Sequence, residues 1–200
     1  MQSLGEGLST CGPYKIIRTL GEGGNAVVKL AEKDGQQYAL KILLLEVSNS
    51  ETVIRKAKEE YQVVQRLNIP GVMRYFEFNE RATWTNGKGI EKEVCYLVME
   101  LIEGVELLEF INEMEHQDDR FLRYIFTEIA GAIHQIHKAG IAHRDIKLDN
   151  VMITEDCEVK VIDFDFGKEL KGTESSGFMS TPVGTPMYMA PQVLSDTVGY

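Results

Sequence analysis

His143-Arg144-Asp145-Ile146-Lys147-Leu148-Asp149-Asn150 crowds charged and polar side chains into a turn between two apolar patterns. On its N-terminal side Leu122, Ile125, Phe126, Ile129, Ile133 and Ile136 recur at helical spacing. Gly140 stands just past the last of them, as a C-cap. On its C-terminal side residues 151–153 and 158–162 read as short strands, and a loop with Gly, Ser and Thr runs from about 167 to 186.

Further upstream the first hundred residues read as strands with one helix. Residues 14–20 and 26–32 flank a glycine-rich turn, and Asp34-Gly35 marks a hairpin into a strand over 37–44. The period of two sets Ala39, Lys41 and Leu43 on one face of that strand, and Tyr38, Leu40 and Ile42 on the other. Residues 50–67 read as a helix whose inward stripe is Val53, Ala57, Val64 and Leu67, with Glu60 in the gap. A carboxylate on a buried helix face needs a cationic partner, because an unpaired buried charge is very costly. Pro70-Gly71 stops the helix. Strands follow at 72–78 and 94–101, with a long, mobile polar loop over 79–93 between them.

The 200 residues carry 21 Lys and Arg against 31 Asp and Glu, a net charge of −10. Without a basic stripe, that balance argues against a partner made of nucleic acid. Cys11, Cys95 and Cys157 show neither metal-ligand spacing nor a disulfide framework, which points to a reducing, cytoplasmic setting. The N-terminus has no signal-peptide pattern, and the apolar run 95–102 is too short to span a bilayer, so no membrane partner is expected.

Gly21-Glu22-Gly23 joins two strands; such glycines read first as serving the geometry of the turn, and they also free backbone N–H groups to approach phosphates, while no Walker pattern occurs. Lys41 and Glu60 each supply the other's missing partner. The segment 143–150 has the H-R-D-x-x-x-x-N form of a kinase catalytic loop. Ala39-Leu40-Lys41, Asp163-Phe164 and Gly184-Thr185-Pro186-x-Tyr188-Met189-Ala190-Pro191 stand around it in matching order. On these residues the chain resembles the eukaryotic protein kinase family from about Tyr14 onward, on its serine/threonine branch because of Lys147 and Thr185. The surroundings of 104–110 and 188–192 are similar to calcium/calmodulin-dependent and autophagy-initiating kinases.

The resemblance implies an α+β, two-lobed fold: a tail at 1–13 and a kinase domain at 14–200, with a strand-rich N-lobe at 14–102 and a helical C-lobe at 103–200. It implies ATP and Mg²⁺ as cofactors and a protein with a Ser or Thr hydroxyl as substrate. Asp145 would orient that hydroxyl and accept its proton, and Lys147 would touch the transferring phosphate. Asn150 and Asp163 would hold the metal, and Lys41, held by Glu60, would grip the α- and β-phosphates beneath Gly21, Glu22 and Gly23. Val28, Ala39 and Met152 match the apolar adenine sandwich, although Val28 and Met152 read equally well as core. Met99 falls at the gatekeeper position, Glu100 to Ile102 at the adenine-binding backbone, and Glu106 at the ribose. His143 reads as a structural histidine. Thr181 matches the activating phosphothreonine, the target of an upstream kinase whose phosphate would meet Arg144, with Thr173, Ser175, Ser176 and Ser180 as competitors.

The pattern also departs from the family. Ala26 replaces the third glycine of the phosphate loop. Asp163-Phe164-Asp165-Phe166-Gly167 permits two registers; Asp163 ends the strand and is preferred as metal ligand, which puts Asp165 where the family has a left-handed glycine. Gln192 replaces a glutamate that pairs with an arginine. The family domain continues with helices beyond the equivalent of Tyr200, so an incomplete C-lobe is expected. The alternative function is accordingly a truncated non-catalytic remnant that binds nucleotide or a protein.

Overall fold

The computed structural model describes residues 9–23, 26–46, 48–114, 118–170 and 183–194. They fall into two compact units, the described residues within 1–62 and 74–101 in one and those within 63–73 and 102–194 in the other.

The first unit is a sheet built from β1 (Thr10–Cys11), β2 (Tyr14–Glu22), β3 (Ala26–Lys33), β4 (Gln36–Leu44), β5 (Tyr75–Thr85) and β6 (Glu91–Met99), with helix α1 (Ser50–Gln65) between β4 and β5 in sequence. The strand order β1-β2-β3-β4-β6-β5 closes on itself, because β1 pairs with β5 as well as with β2. Strand alternation fills its interior: Leu40 and Ile42 of β4 meet Ala31, Val94, Tyr96 and Val98, with Tyr38 and Trp84 packed alongside. The opposite face of β4 carries Ala39 and Lys41, both buried. Along α1, Ala57, Glu60, Val64 and then Leu67 are buried; Val53 is only half-buried, and Ile54 takes the inward place expected of it.

Two expectations are corrected here. The strand expected over 72–78 starts at Tyr75 and runs to Thr85, and β6 starts at Glu91. The polar loop over 79–93 therefore shrinks to 86–90, where Asn86 Oδ1 accepts the N–H groups of Lys88 and Ile90. Charged outward residues had disguised the alternation: Ala82 and Trp84 point into the core, while Arg81 pairs with Glu93 across the hairpin. Residues 72 and 73 instead hydrogen-bond in the second unit, where the Met73 N–H donates to the Val161 carbonyl at 3.0 Å.

The second unit contains β7 (Gly104–Glu106), α2 (Leu107–Glu113), α3 (Asp119–Lys138), β8 (Ile141–Ala142), β9 (Val151–Thr154), β10 (Val159–Val161), β11 (Lys168–Glu169) and α4 (Pro191–Leu194). Strands β10-β9-β7 form one small sheet, and β11 pairs with β8. Gly104 must be glycine, since a Cβ there would stand 2.3 Å from the Ile153 carbonyl oxygen. Asp118 caps α3 by accepting the Arg120 N–H, and Gly140, at φ +73°, ends it as expected. Ile125, Ile129, Ala132 and Ile136 are its buried line. Phe126, read into that stripe, is exposed: it is one residue, about 100°, round from Ile125. Among the described residues no helix is long and apolar enough to cross a membrane.

Candidate active site

In the first unit the buried pair exists. Lys41 Nζ donates to Glu60 Oε1 at 3.0 Å and Oε2 at 3.2 Å, with Lys41 8% and Glu60 4% exposed. Strand pairing sets Val28 opposite Lys41, and Ala39 opposite Met99, so the expected phosphate and adenine positions share one patch of sheet. Gly21 and Glu22 end β2 opposite Val28 and Val27, and the Gly23 N–H donates to the Ala26 carbonyl at 2.8 Å. At the end of β6 the Glu100 N–H donates to the Arg74 carbonyl, while the Glu100 carboxylate accepts the Arg74 N–H at 3.1 Å.

In the second unit the segment 143–150 folds over its own polar groups. Leu148–Asn150 is a single 3-10 turn leading straight into β9, and it brings the Asn150 side chain back onto Asp145. Asn150 Nδ2 donates to the Asp145 carbonyl at 2.8 Å and to Asp145 Oδ2 at 3.0 Å. Lys147 Nζ lies 3.2 Å from the same Oδ2 and donates to Thr185 Oγ1 at 3.0 Å. The Thr185 N–H and hydroxyl both donate to Asp145 Oδ1, each at 2.8 Å. Burial raises the Asp145 carboxyl, but the hydrogen bonds from Thr185 and Lys147 and the Lys147 charge outweigh it, leaving it below the usual carboxylate range. Asp145 is thus an oriented anion at neutral pH. Gly184, at φ +117°, allows this approach; a Cβ there would sit 2.4 Å from the Arg144 carbonyl oxygen.

His143 is structural. Its Nε2 lies 2.9 Å from the Ile162 carbonyl and its Nδ1 accepts the Asp145 N–H at 3.2 Å, which requires the neutral tautomer with the proton on Nε2. Burial pushes its pKa down and keeps it neutral. Its ring packs on Phe164, which is fully buried, with centroids 4.5 Å apart.

The segment after β10 distinguishes its two aspartates. The Ile162 N–H donates to the Asn150 carbonyl, which sets Asp163 beside the Asn150 turn. Phe164 is in the core, whereas Phe166 is 37% exposed and Asp165 is exposed. The left-handed residue is Asp163, at φ +60°, not Asp165 as expected. The reason is local: Asp163 Oδ1 accepts the Asp165 N–H at 3.3 Å, and the Gly167 N–H closes a turn on the Phe164 carbonyl at 2.7 Å. Strand pairing sets Met152 opposite Glu106, so the expected adenine and ribose contacts of this unit are neighbours. Ile102 is half-buried just before β7. Thr181 and its competitors, Thr173, Ser175, Ser176 and Ser180, lie outside the described residues, as does the side chain of Gln192.

The donor set fits the implied cofactors. Asn150 and Asp163 offer hard oxygen ligands of the kind Mg²⁺ takes, and Asn150 is oriented by the two bonds its amide nitrogen makes to Asp145. Lys41 is a buried cation on a sheet beside a glycine-rich strand end, which suits phosphate. Two contributions escaped the sequence. Thr185, used there to assign a branch, holds both Asp145 and Lys147, and Tyr75 donates its hydroxyl to Glu60 Oε1 at 2.5 Å. A buried tyrosine at a strand start looks like core in sequence, so only Glu60's need for donors hinted at it.

Residues 14–200 match the protein kinase domain family. The chain is similar to the serine/threonine-protein kinase cds1 of Schizosaccharomyces pombe, with 34% identity over 187 residues, 90% of this chain and 38% of that protein. It is similar to the CBL-interacting serine/threonine-protein kinase 9 of Arabidopsis thaliana, with 32% identity over 187 residues, 92% of this chain and 40% of that protein. It is also 32% identical over 187 residues to the serine/threonine-protein kinase SIK1 of Mus musculus, covering 91% of this chain and 22% of that protein. The chain therefore spans less than half the length of each of these relatives.

Proposed function

The chain belongs to the protein kinase family, on its serine/threonine side, and from that premise we propose that it transfers the γ-phosphate of ATP to a Ser or Thr hydroxyl of a protein. The observation that carries this reading is the Asp145 carboxylate, held on both oxygens by Thr185, Lys147 and Asn150. A carboxylate kept below its usual range is a weak base. Its main contribution is to orient the incoming hydroxyl, with the proton taken up late, as the oxygen bonds to phosphorus. Lys147 stands beside it with a cation for the transferring phosphate.

Lys41 binds the α- and β-phosphates and Glu60 keeps it aimed, while the backbone of Gly21, Glu22 and Gly23 donates to phosphate oxygens. Asn150 and Asp163 hold Mg²⁺, which when bound supplies the positive charge that offsets the phosphates. In the first unit Val28 and Ala39 would pack on adenine and the backbone of Glu100 would hydrogen-bond it; in the second, Met152 would pack on adenine, the backbone of Ile102 would hydrogen-bond it and Glu106 would meet the ribose. An upstream kinase acting on Thr181 and a cytoplasmic setting complete the proposal. The free Cys11 and Cys95, both buried, accord with a reducing compartment.

Thermal unfolding tests the nucleotide half. Mg-ATP at about a hundred times its Kd stabilises the chain by roughly 2.7 kcal/mol through mass action. Lys41→Met and Asp163→Asn each shrink the shift, and Asp165→Asn shrinks it less. Absence of any shift in the parent chain contradicts nucleotide binding, and a larger loss from Asp165→Asn than from Asp163→Asn reverses the assignment of the metal ligand.

A further inference from the structure

We propose that Tyr75 is a positioning residue for the Lys41–Glu60 pair: its phenol hydroxyl fixes the Glu60 carboxylate in the orientation that aims Lys41 at phosphate. For its link to nucleotide the proposal rests on the kinase reading above.

Glu60 Oε1 accepts from Lys41 Nζ at 3.0 Å and from the Tyr75 hydroxyl at 2.5 Å, while Oε2 accepts Lys41 at 3.2 Å. The phenol bond has the length of a charge-assisted O–H···O⁻ contact, the strong class of hydrogen bond. All three residues are buried, with Tyr75 6% exposed, so water does not compete for the carboxylate. The three side chains come from β4, α1 and β5, and the cluster ties the helix to two strands of the sheet.

That tie differs in kind from the ion pairs between α1 and the β5–β6 hairpin. Lys58 pairs with Glu80 and Arg81 with Glu51 at exposed positions, where ion pairs contribute little. An ammonium on a flexible four-carbon stem can follow a carboxylate through many positions. A phenol on a two-torsion side chain cannot, so the rigid partner sets where the carboxylate rests. The root of Tyr75 is itself held, because Tyr75 pairs with Met99 across the sheet and the preceding Arg74 is bonded to Glu100 through backbone and side chain. Supporting groups of this type keep a binding constellation within the fraction of an ångström it needs.

The test is Tyr75→Phe, which keeps the ring and deletes the hydroxyl. Competitive labelling of the full chain with acetic anhydride across pH, read on the Lys41 peptide by mass spectrometry, reports how firmly the carboxylate faces the amine without any nucleotide. Removing the counter-charge with Glu60→Gln lowers the labelling midpoint by on the order of a unit or more. Tyr75→Phe is expected to lower it in the same direction by less, with unchanged far-UV circular dichroism, and to weaken Mg-ATP binding about 3- to 10-fold. Tyr75→Leu, which removes the hydroxyl in a different packing context, must move the midpoint the same way.

A Tyr75→Phe profile that superposes on the parent, or moves upward, overturns the proposal. A shifted profile with unchanged Mg-ATP affinity overturns its role toward nucleotide. A shifted Tyr75→Phe profile, where the parent chain itself binds no Mg-ATP, leaves the positioning of Lys41 standing and sinks the kinase reading instead.

Discussion

At Asp145 a single carboxylate takes donors on both oxygens, and those donors come from positions 147, 150 and 185. Thr185 is the pivot, since its hydroxyl donates to Asp145 and accepts from Lys147. Replacing it with valine keeps the shape and the backbone N–H but leaves Lys147 without that acceptor and Asp145 with one donor fewer. We expect Thr185→Val to lower kcat about 10- to 100-fold with little change in KM for ATP, and Thr185→Ser to recover most of the loss. Steady-state phosphotransfer checks this; an unchanged kcat in the valine variant would show that Thr185 is only packing. Asp163 makes a related point about backbone. Its left-handed conformation is stabilised by a turn that its own side chain closes, and a residue pattern cannot announce which of two aspartates will adopt it.

Among the elements, the closed sheet of the first unit holds the most buried ionisable groups. Burial pushes the Cys11 thiol up to about 12 and the Cys95 thiol up to about 11. Burial first, and then the hydrogen bond each makes to Glu77, also raise Tyr14 and Tyr96. The sign follows from linkage. These groups ionise in the unfolded chain before they do in the folded one, so the stability they contribute is complete below the unfolded pKa, near 9 for a thiol, and is lost as pH rises toward the folded value. The sheet is expected to lose stability steeply between about pH 9 and 12, and Cys11→Ala to flatten that slope relative to its own value at pH 8. Urea unfolding at pH 8 and pH 10.5 measures it. Equal slopes in the two proteins would mean that Cys11 is not the buried acid its position indicates.

Across the whole molecule, what could be read from sequence was whatever chemistry or periodicity forces. The Lys41–Glu60 pair was legible because a carboxylate at a buried helical position demands a cation, and it forms with both groups buried. Helix α3 was legible because its apolar line and terminal glycine agree. Strands β5 and β6 ran past their expected ends because ion pairs, not apolar residues, line their outer face. The bonds of Tyr75 to Glu60 and of Thr185 to Asp145 were not legible because the value of a hydroxyl lies in what it meets across the fold, which spacing along the chain does not encode. The account stands on Asp145 as the group that orients a substrate hydroxyl, and the most direct test is transfer of radiolabelled γ-phosphate from Mg-ATP to a generic Ser/Thr protein substrate. The prediction is magnesium-dependent incorporation on serine or threonine that falls by roughly 10²- to 10⁴-fold in Asp145→Asn while Mg-ATP binding persists. Incorporation that survives Asp145→Asn, or a parent chain that binds Mg-ATP and transfers nothing, would contradict it.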